Sequence, residues 1–130
     1  MKSFCVIGLG KFGQSLAETL AAAGCQVMII DTDSDKITAL ADVVTNAVIG
    51  DPTNENVLRS AGITDYDCAI VCLANNINAN ILLTIMLKEI GVKKVVARAM
   101  NEGHHKVLER VGADMIVFPE QDMGEKLGYM

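Results

Sequence analysis

The sequence predicts an α/β domain in which one six-stranded parallel sheet is covered by helices on both faces. Three observations predict it. Short apolar runs rich in Val and Ile alternate along the chain with stretches of helical period. Those runs are not interrupted by polar residues at every second position, the mark of parallel strands buried on both faces. Glycines stand where the helical stretches stop, at the positions that favour a left-handed cap.

The elements follow in order. Residues 4–7 (Phe4-Cys5-Val6-Ile7) open as a strand, and residues 11–23 read as a helix closed by Gly24. Residues 26–30 form a second strand ending at Asp31, and residues 33–41 a helix capped by Asp33 or Ser34. Residues 47–49 give a short third strand before Gly50-Asp51, and residues 54–61 a helix closed by Gly62. The second half repeats the rhythm. Residues 68–73 are apolar throughout and so predict a central fourth strand. Residues 76–90 make a long helix ended by Gly91, residues 95–98 a fifth strand, residues 102–111 a helix ended by Gly112, and residues 115–118 a sixth strand. Such units cross over right-handedly, and two groups of three strands predict the order 3-2-1-4-5-6 of a Rossmann-like, doubly wound, three-layer αβα fold. Residues 1–119 then constitute one domain, and residues 120–130 read as the start of a further helix cut short, as in a piece of a longer protein.

Composition narrows the function. The chain has 130 residues, 51% of them hydrophobic, and with three Phe, two Tyr and no Trp its core must be aliphatic. A net charge of −5 with scattered basic residues argues against nucleic acid and against an anionic membrane surface. The longest apolar stretch, residues 77–87, contains Asn78 and Asn80 and falls short of the about 20 residues a span requires, so no membrane insertion is expected. No signal-peptide pattern opens the chain. Cys5, Cys25, Cys68 and Cys72 form no C-x-x-C pair, which fits reduced thiols in a cytoplasmic setting.

Gly8-Leu9-Gly10-Lys11-Phe12-Gly13 matches G-x-G-x-x-G in the context the motif needs, after a strand and opening a helix. Gly8 permits a tight turn, Gly10 lets a pyrophosphate approach the backbone, and Gly13 lets helix and strand pack closely. The free amides and dipole at the helix start then face an anion. Asp31 lies 18 residues beyond Gly13, where a carboxylate accepts from ribose hydroxyls and repels a 2′-phosphate; it can also cap the following helix. Asp33 and Lys36 stand ready to assist. Asp51 ends the third strand and has two roles open to it, accepting from an adenine amino group or capping the next helix. Lys11 either reaches a phosphate or is simply solvated. In residues 76–90, Ile77, Ile81, Leu82, Leu83, Ile85, Met86, Leu87 and Ile90 occupy most of the circumference, so the outer face is expected to meet a second subunit.

An enzyme on the same fold would need a substrate pocket and an acid–base residue. The six-strand pattern consumes the length, and the Tyr-x-x-x-Lys pair of short-chain dehydrogenases is absent: Ile70 stands four beyond Tyr66. His104 and His105, the only histidines, point about 100° apart on a helix, which suits packing or solvation better than catalysis. The reading is a nucleotide sensor, with a nucleotide-binding fragment of an NAD-dependent oxidoreductase as the alternative.

Phe4 to Gly13 (FCVIGLGKFG), Asp31, Gly50-Asp51, Val96-Ala97-Arg98-Ala99, and His105-Lys106-Val107-Leu108-Glu109 followed by Gly112-Ala113-Asp114 resemble an RCK domain. The likeness spans essentially the whole chain and is strongest to the regulatory subunits of bacterial Ktr and Trk potassium uptake systems; Pro119-Glu120-Gln121-Asp122-Met123-Gly124 is also of the Ktr type. The resemblance implies a cytoplasmic regulator that binds NAD(H), ATP or ADP, forms homodimers assembled into an octameric ring, and docks peripherally on a membrane K+-translocating subunit. It maps nucleotide contacts onto Gly8, Gly10, Lys11, Phe12, Gly13, Asp31, Asp51 and Arg98. It leaves Glu120 two roles, joining a divalent cation at the dimer interface or standing as a surface carboxylate. It also implies a second, C-terminal domain reached through a crossover helix. Many relatives carry Arg where this chain has Lys11, which keeps the charge and loses the bidentate fork.

Overall fold

The computed structural model describes residues 2–73 and 76–118. Its elements, in chain order, are β1 (Ser3–Ile7), α1 (Lys11–Ala22), β2 (Gln26–Asp31), α2 (Ser34–Leu40), β3 (Asn46–Ile49), α3 (Glu55–Ser60), β4 (Cys68–Val71), α4 (Ile77–Ile90), β5 (Val95–Arg98), α5 (Glu102–Arg110) and β6 (Met115–Val117). The six strands are parallel and lie in the order β3-β2-β1-β4-β5-β6, the order read from the sequence. β1 and β4 are neighbours at the centre, where the winding direction reverses and α/β folds open a crevice.

The pleat sends successive side chains to opposite faces, and both faces are apolar. Cys5, Ile7, Met28, Ile30, Ala69 and Val71 meet Leu58 of α3, Leu83 and Leu87 of α4 and Leu108 of α5. Val6, Val27, Ile29, Cys68 and Ile70 meet Ala17 of α1 and Ile37 and Leu40 of α2. Three layers result. The edge strands β3 and β6 are poorly covered, and Ile49 and Met115 on them are exposed.

Several boundaries differ from the expectation, for local reasons. β4 stops pairing at Val71 rather than running to residue 73, because β1 ends at Ile7 and Gly8 turns the chain away with φ +100°. α3 starts at Glu55 with Asn54, not Asp51, as its cap, since the Asn54 side chain accepts from the Asn56 amide at 3.0 Å. A short 3-10 turn, Ile63–Asp65, follows the left-handed Gly62 and was not anticipated. The stripe that α4 turns to the core is Asn80, Leu83, Thr84 and Leu87, two of them polar. Ile77 and Leu82 of α4 are exposed. Residues 120–130, read as a truncated helix, lie outside the described residues, as does Glu120. Among the described residues no helix is long and apolar enough to cross a membrane.

Candidate functional site

The carboxyl ends of β1 to β4 surround a cleft of about 500 Å3. Its lining includes Gly8 and Gly10 from the glycine turn, Asp31, Thr32 and Lys36 beyond β2, Asp51, Pro52 and Thr53 beyond β3, and Leu73, Asn76 and Ala79 beyond β4. Five of the residues singled out from the sequence, Gly8, Gly10, Asp31, Lys36 and Asp51, are thus brought together.

The turn is held from below. The Gly8 amide donates to the Ile30 carbonyl at 3.0 Å, and a Cβ on Gly8 would lie 2.5 Å from the Cys72 carbonyl oxygen. A Cβ on Gly13 would collide with the Gly8 carbonyl oxygen and stand 3.2 Å from the Cys72 sulfur. The Cys72 thiol donates to that same Gly8 oxygen at 3.1 Å. Burial pushes this thiol up to about 12, so it is a packing group and a weak donor, not a nucleophile. Gly13 therefore acts beneath the cleft rather than in its wall, letting α1 sit directly on the turn.

Asp31 bolts the turn to the neighbouring strand. Its Oδ2 accepts from the Leu9 amide at 2.7 Å and its Oδ1 from the Asp33 amide at 2.8 Å. Each oxygen keeps a second lone pair, and the residue is half-buried in the cleft wall. Asp51 is arranged similarly: its Oδ1 accepts from the Thr53 hydroxyl at 2.6 Å and the Thr53 amide at 2.9 Å. The hydroxyl first, and then the amide, hold its carboxyl below the usual carboxylate range. Asp33 is the cap of α2, accepting from the Asp35 and Lys36 amides at 2.9 and 3.4 Å, and does not line the cleft.

The remaining singled-out residues sit at the margin. Lys11 is the exposed first residue of α1, and Phe12 follows it with the Arg98 guanidinium carbon 5.5 Å from its ring centroid. That cation–π contact joins the start of α1 to the end of β5. Neither residue, nor Lys11, is part of the cleft lining.

The start of α1 differs from the other α-helices. The side chains of Asp33, Asn54, Asn76 and Asn101 cap α2, α3, α4 and α5, whereas Gly10 at the start of α1 supplies no side-chain cap. The first amides of a twelve-residue helix are therefore left without a side-chain acceptor beside a cleft whose acidic groups stand at the ends of β2 and β3. Donors with a positive helix end suit phosphate oxygens, while carboxylates suit hydroxyl and amino groups. The residues present therefore fit a nucleotide. Among the described residues no group of three His, Cys, Asp or Glu is placed to hold a metal ion.

Sequence reading missed Thr32, Pro52, Thr53 and the β4–α4 wall of Leu73, Asn76 and Ala79. Thr53 had a signal in Asp-Pro-Thr, where a carboxylate meets the amide two residues on. His104 is buried, its Nδ1 accepting from the Met100 amide at 3.0 Å, and His105 stacks on Phe118 and pairs with Glu109 at 2.8 Å. Both are packing residues away from the cleft.

Comparison with known proteins agrees with this geometry. The TrkA-N domain family model matches residues 4–119. The chain is 45% identical over 128 residues to Ktr system potassium uptake protein C of Bacillus subtilis (strain 168), covering 98% of this chain and 58% of that relative. It is 44% identical over 126 residues to Ktr system potassium uptake protein A of the same organism, covering 97% of this chain and 57% of that one. The chain thus spans somewhat over half the length of these relatives.

Among solved structures, the NAD(P)-binding domain of an exopolyphosphatase-related protein from Archaeoglobus fulgidus superposes with a TM-score of 0.85 at 25% identity, covering 100% of both chains. The AMP-bound Kef CTD of Shewanella denitrificans superposes with a TM-score of 0.82 at 25% identity, covering 98% of this chain and 77% of that one. The GsuK RCK domain gives 0.76 at 30% identity, covering 89% of this chain and 25% of that one. With its sheet order, its glycine turn and a family match along nearly all its length, this chain belongs to the TrkA-N domain family.

Proposed function

We propose that the cleft binds an adenine nucleotide, NAD(H) or ATP/ADP, and that the bound nucleotide regulates a bacterial potassium uptake system. One observation carries the reading: the uncapped start of α1 and the carboxylates of Asp31 and Asp51 belong to one cleft. Phosphates take the amide donors, the ribose hydroxyls take Asp31, and the adenine amino group takes Asp51. Lys11, Phe12 and Arg98 stand beside the phosphate end, and Lys36 beside the ribose. The carboxylate of Asp31 opposes a 2′-phosphate, so the unphosphorylated nucleotides are favoured.

The Ktr relatives support the regulatory half of the reading, and the AMP-bound Kef neighbour supports an adenine ligand. Residues 1–119 act as the nucleotide-binding domain, and residues 120–130 lead toward the rest of a longer protein. That protein is a cytoplasmic homodimer assembled into an octameric ring, held peripherally at the membrane by a K+-translocating subunit. The exposed Ile77 and Leu82 on α4 support subunit contact there. The chain works as a switch and not as a catalyst: a nucleotide that binds one ring shape more tightly shifts the equilibrium toward it. The divalent-cation role of Glu120 belongs to the same reading, and no step depends on it.

The test is potassium flux through the membrane partner reconstituted with the full-length regulator. Flux is expected to change on adding nucleotide and to lose that response in Asp31→Ala. Equal flux with and without every nucleotide would contradict the regulatory role.

A further inference from the structure

We propose that Asn80 is a positioning residue of the cleft, holding the β4–α4 wall by taking both backbone hydrogen bonds of Leu73; this rests on the nucleotide reading of that cleft. β4 pairs with β1 only as far as β1 runs. The last bond between them is from the Cys72 amide to the Ile7 carbonyl, at 2.9 Å. One residue on, Leu73 has no strand partner, although it lines the cleft. Asn80, in the first turn of α4, supplies what the sheet does not. Its Oδ1 accepts from the Leu73 amide at 3.0 Å, and its Nδ2 donates to the Leu73 carbonyl at 2.8 Å and to the Asn76 carbonyl at 2.9 Å. The side chain is 0% exposed, so water does not replace these bonds when they are lost. Thr84 fixes the same turn of helix, its hydroxyl donating to the Asn80 carbonyl at 2.8 Å.

A carboxamide both donates and accepts in one plane, which no aliphatic side chain does. Two consequences follow. Leu73, Asn76 and Ala79, which form one wall of the cleft, are pinned relative to the sheet that carries Asp31 and Asp51. The Leu73 amide is also taken by Asn80, so it is no donor to a ligand.

The experiment measures ADP and NAD binding by calorimetry, with thermal unfolding alongside, for the parent chain, Asp31→Ala, Asn80→Leu, Asn80→Asp and Leu87→Ala. Asn80→Leu, which adds no charge, is expected to weaken both ligands by about tenfold or more while unfolding remains cooperative. Leu87→Ala, a core truncation in the same helix, is expected to lower the melting temperature and leave affinity unchanged. Asn80→Asp exchanges a donor for a carboxylate oxygen facing two carbonyls, and protonation restores one of the two donations. Its affinity is therefore expected to be poor at about pH 8 and to recover toward about pH 6, beyond any change in the parent. Should Asn80→Leu not fold, this pH recovery decides the matter. The proposal is overturned if folded Asn80→Leu binds within about twofold of the parent, if Asn80→Asp shows no recovery, or if Leu87→Ala loses as much affinity. A parent chain that binds neither ligand overturns the nucleotide reading instead.

Discussion

Replacing Gly13 by alanine tests whether close packing of α1 on the glycine turn is what places the amides for a ligand. The new Cβ would fall on the Gly8 carbonyl oxygen and within 3.2 Å of the Cys72 sulfur. Neither neighbour is free to retreat. The Gly8 amide is tied to Ile30, its oxygen accepts from the Cys72 thiol, and the Cys72 amide is tied to Ile7. The helix start must therefore lift by roughly 1 Å, and overpacking of this kind costs about 1–3 kcal/mol. For a chain of this size that is a fall in melting temperature of roughly 4–12 °C. Lifting α1 also moves its first amides away from the cleft, and losing one charge-assisted hydrogen bond weakens ADP by about tenfold. Gly24→Ala is the control. Gly24 has φ +86° with nothing within 4 Å of its missing Cβ, so alanine there bears left-handed strain of about 1–2 kcal/mol and touches nothing near the cleft. Calorimetric affinity and thermal unfolding, measured on both variants, separate the effects. The reasoning fails if Gly13→Ala keeps the parent affinity, or if Gly24→Ala loses affinity to the same degree.

Three further outcomes are expected. The Ser3 amide and then its hydroxyl hold the Asp67 carboxyl below the usual range. The stability this gives is present above the unfolded value near pH 4 and is lost as pH falls below it, so Asp67→Asn should flatten acid unfolding followed by circular dichroism. Burial holds the His104 imidazole below its ordinary value. The unfolded chain then binds more protons than the folded one below about pH 6.5, so stability should fall as pH drops from there. Urea unfolding at several pH values should show this loss shrinking in His104→Gln; an unchanged slope would count against it. Cys5, Cys68 and Cys72 are buried with thiols raised mainly by desolvation, whereas Cys25 is half-buried. Alkylation at about pH 8 should therefore reach Cys25 first and the other three only on unfolding, as read by mass spectrometry.

The sheet order was legible because each strand is an unbroken apolar run between helical segments, and right-handed crossovers leave few topologies. The glycine turn and Asp31 were legible because their spacing expresses a geometry, strand then turn then helix, that the chain carries locally. The β4–α4 wall was not. Asn80 looked like an interruption of an apolar helix, since its partners are backbone groups of Leu73 and Asn76, which leave no trace in side-chain periodicity. For Asp33 the sequence offered both a cap of α2 and an assisting role, and the structure shows the cap, because capping and ligand binding ask for the same residue at the same strand end. The early end of β4 followed from where β1 stops, a tertiary fact that residues 68–73 do not contain.

The most direct test of the account is calorimetric titration of NADH, NAD, ATP and ADP into the parent chain and into Asp31→Ala. The account predicts saturable binding of at least one of these nucleotides and a marked loss of that affinity when the carboxylate that meets Leu9 and Asp33 is removed. Affinities left unchanged by Asp31→Ala would contradict the assignment of the site.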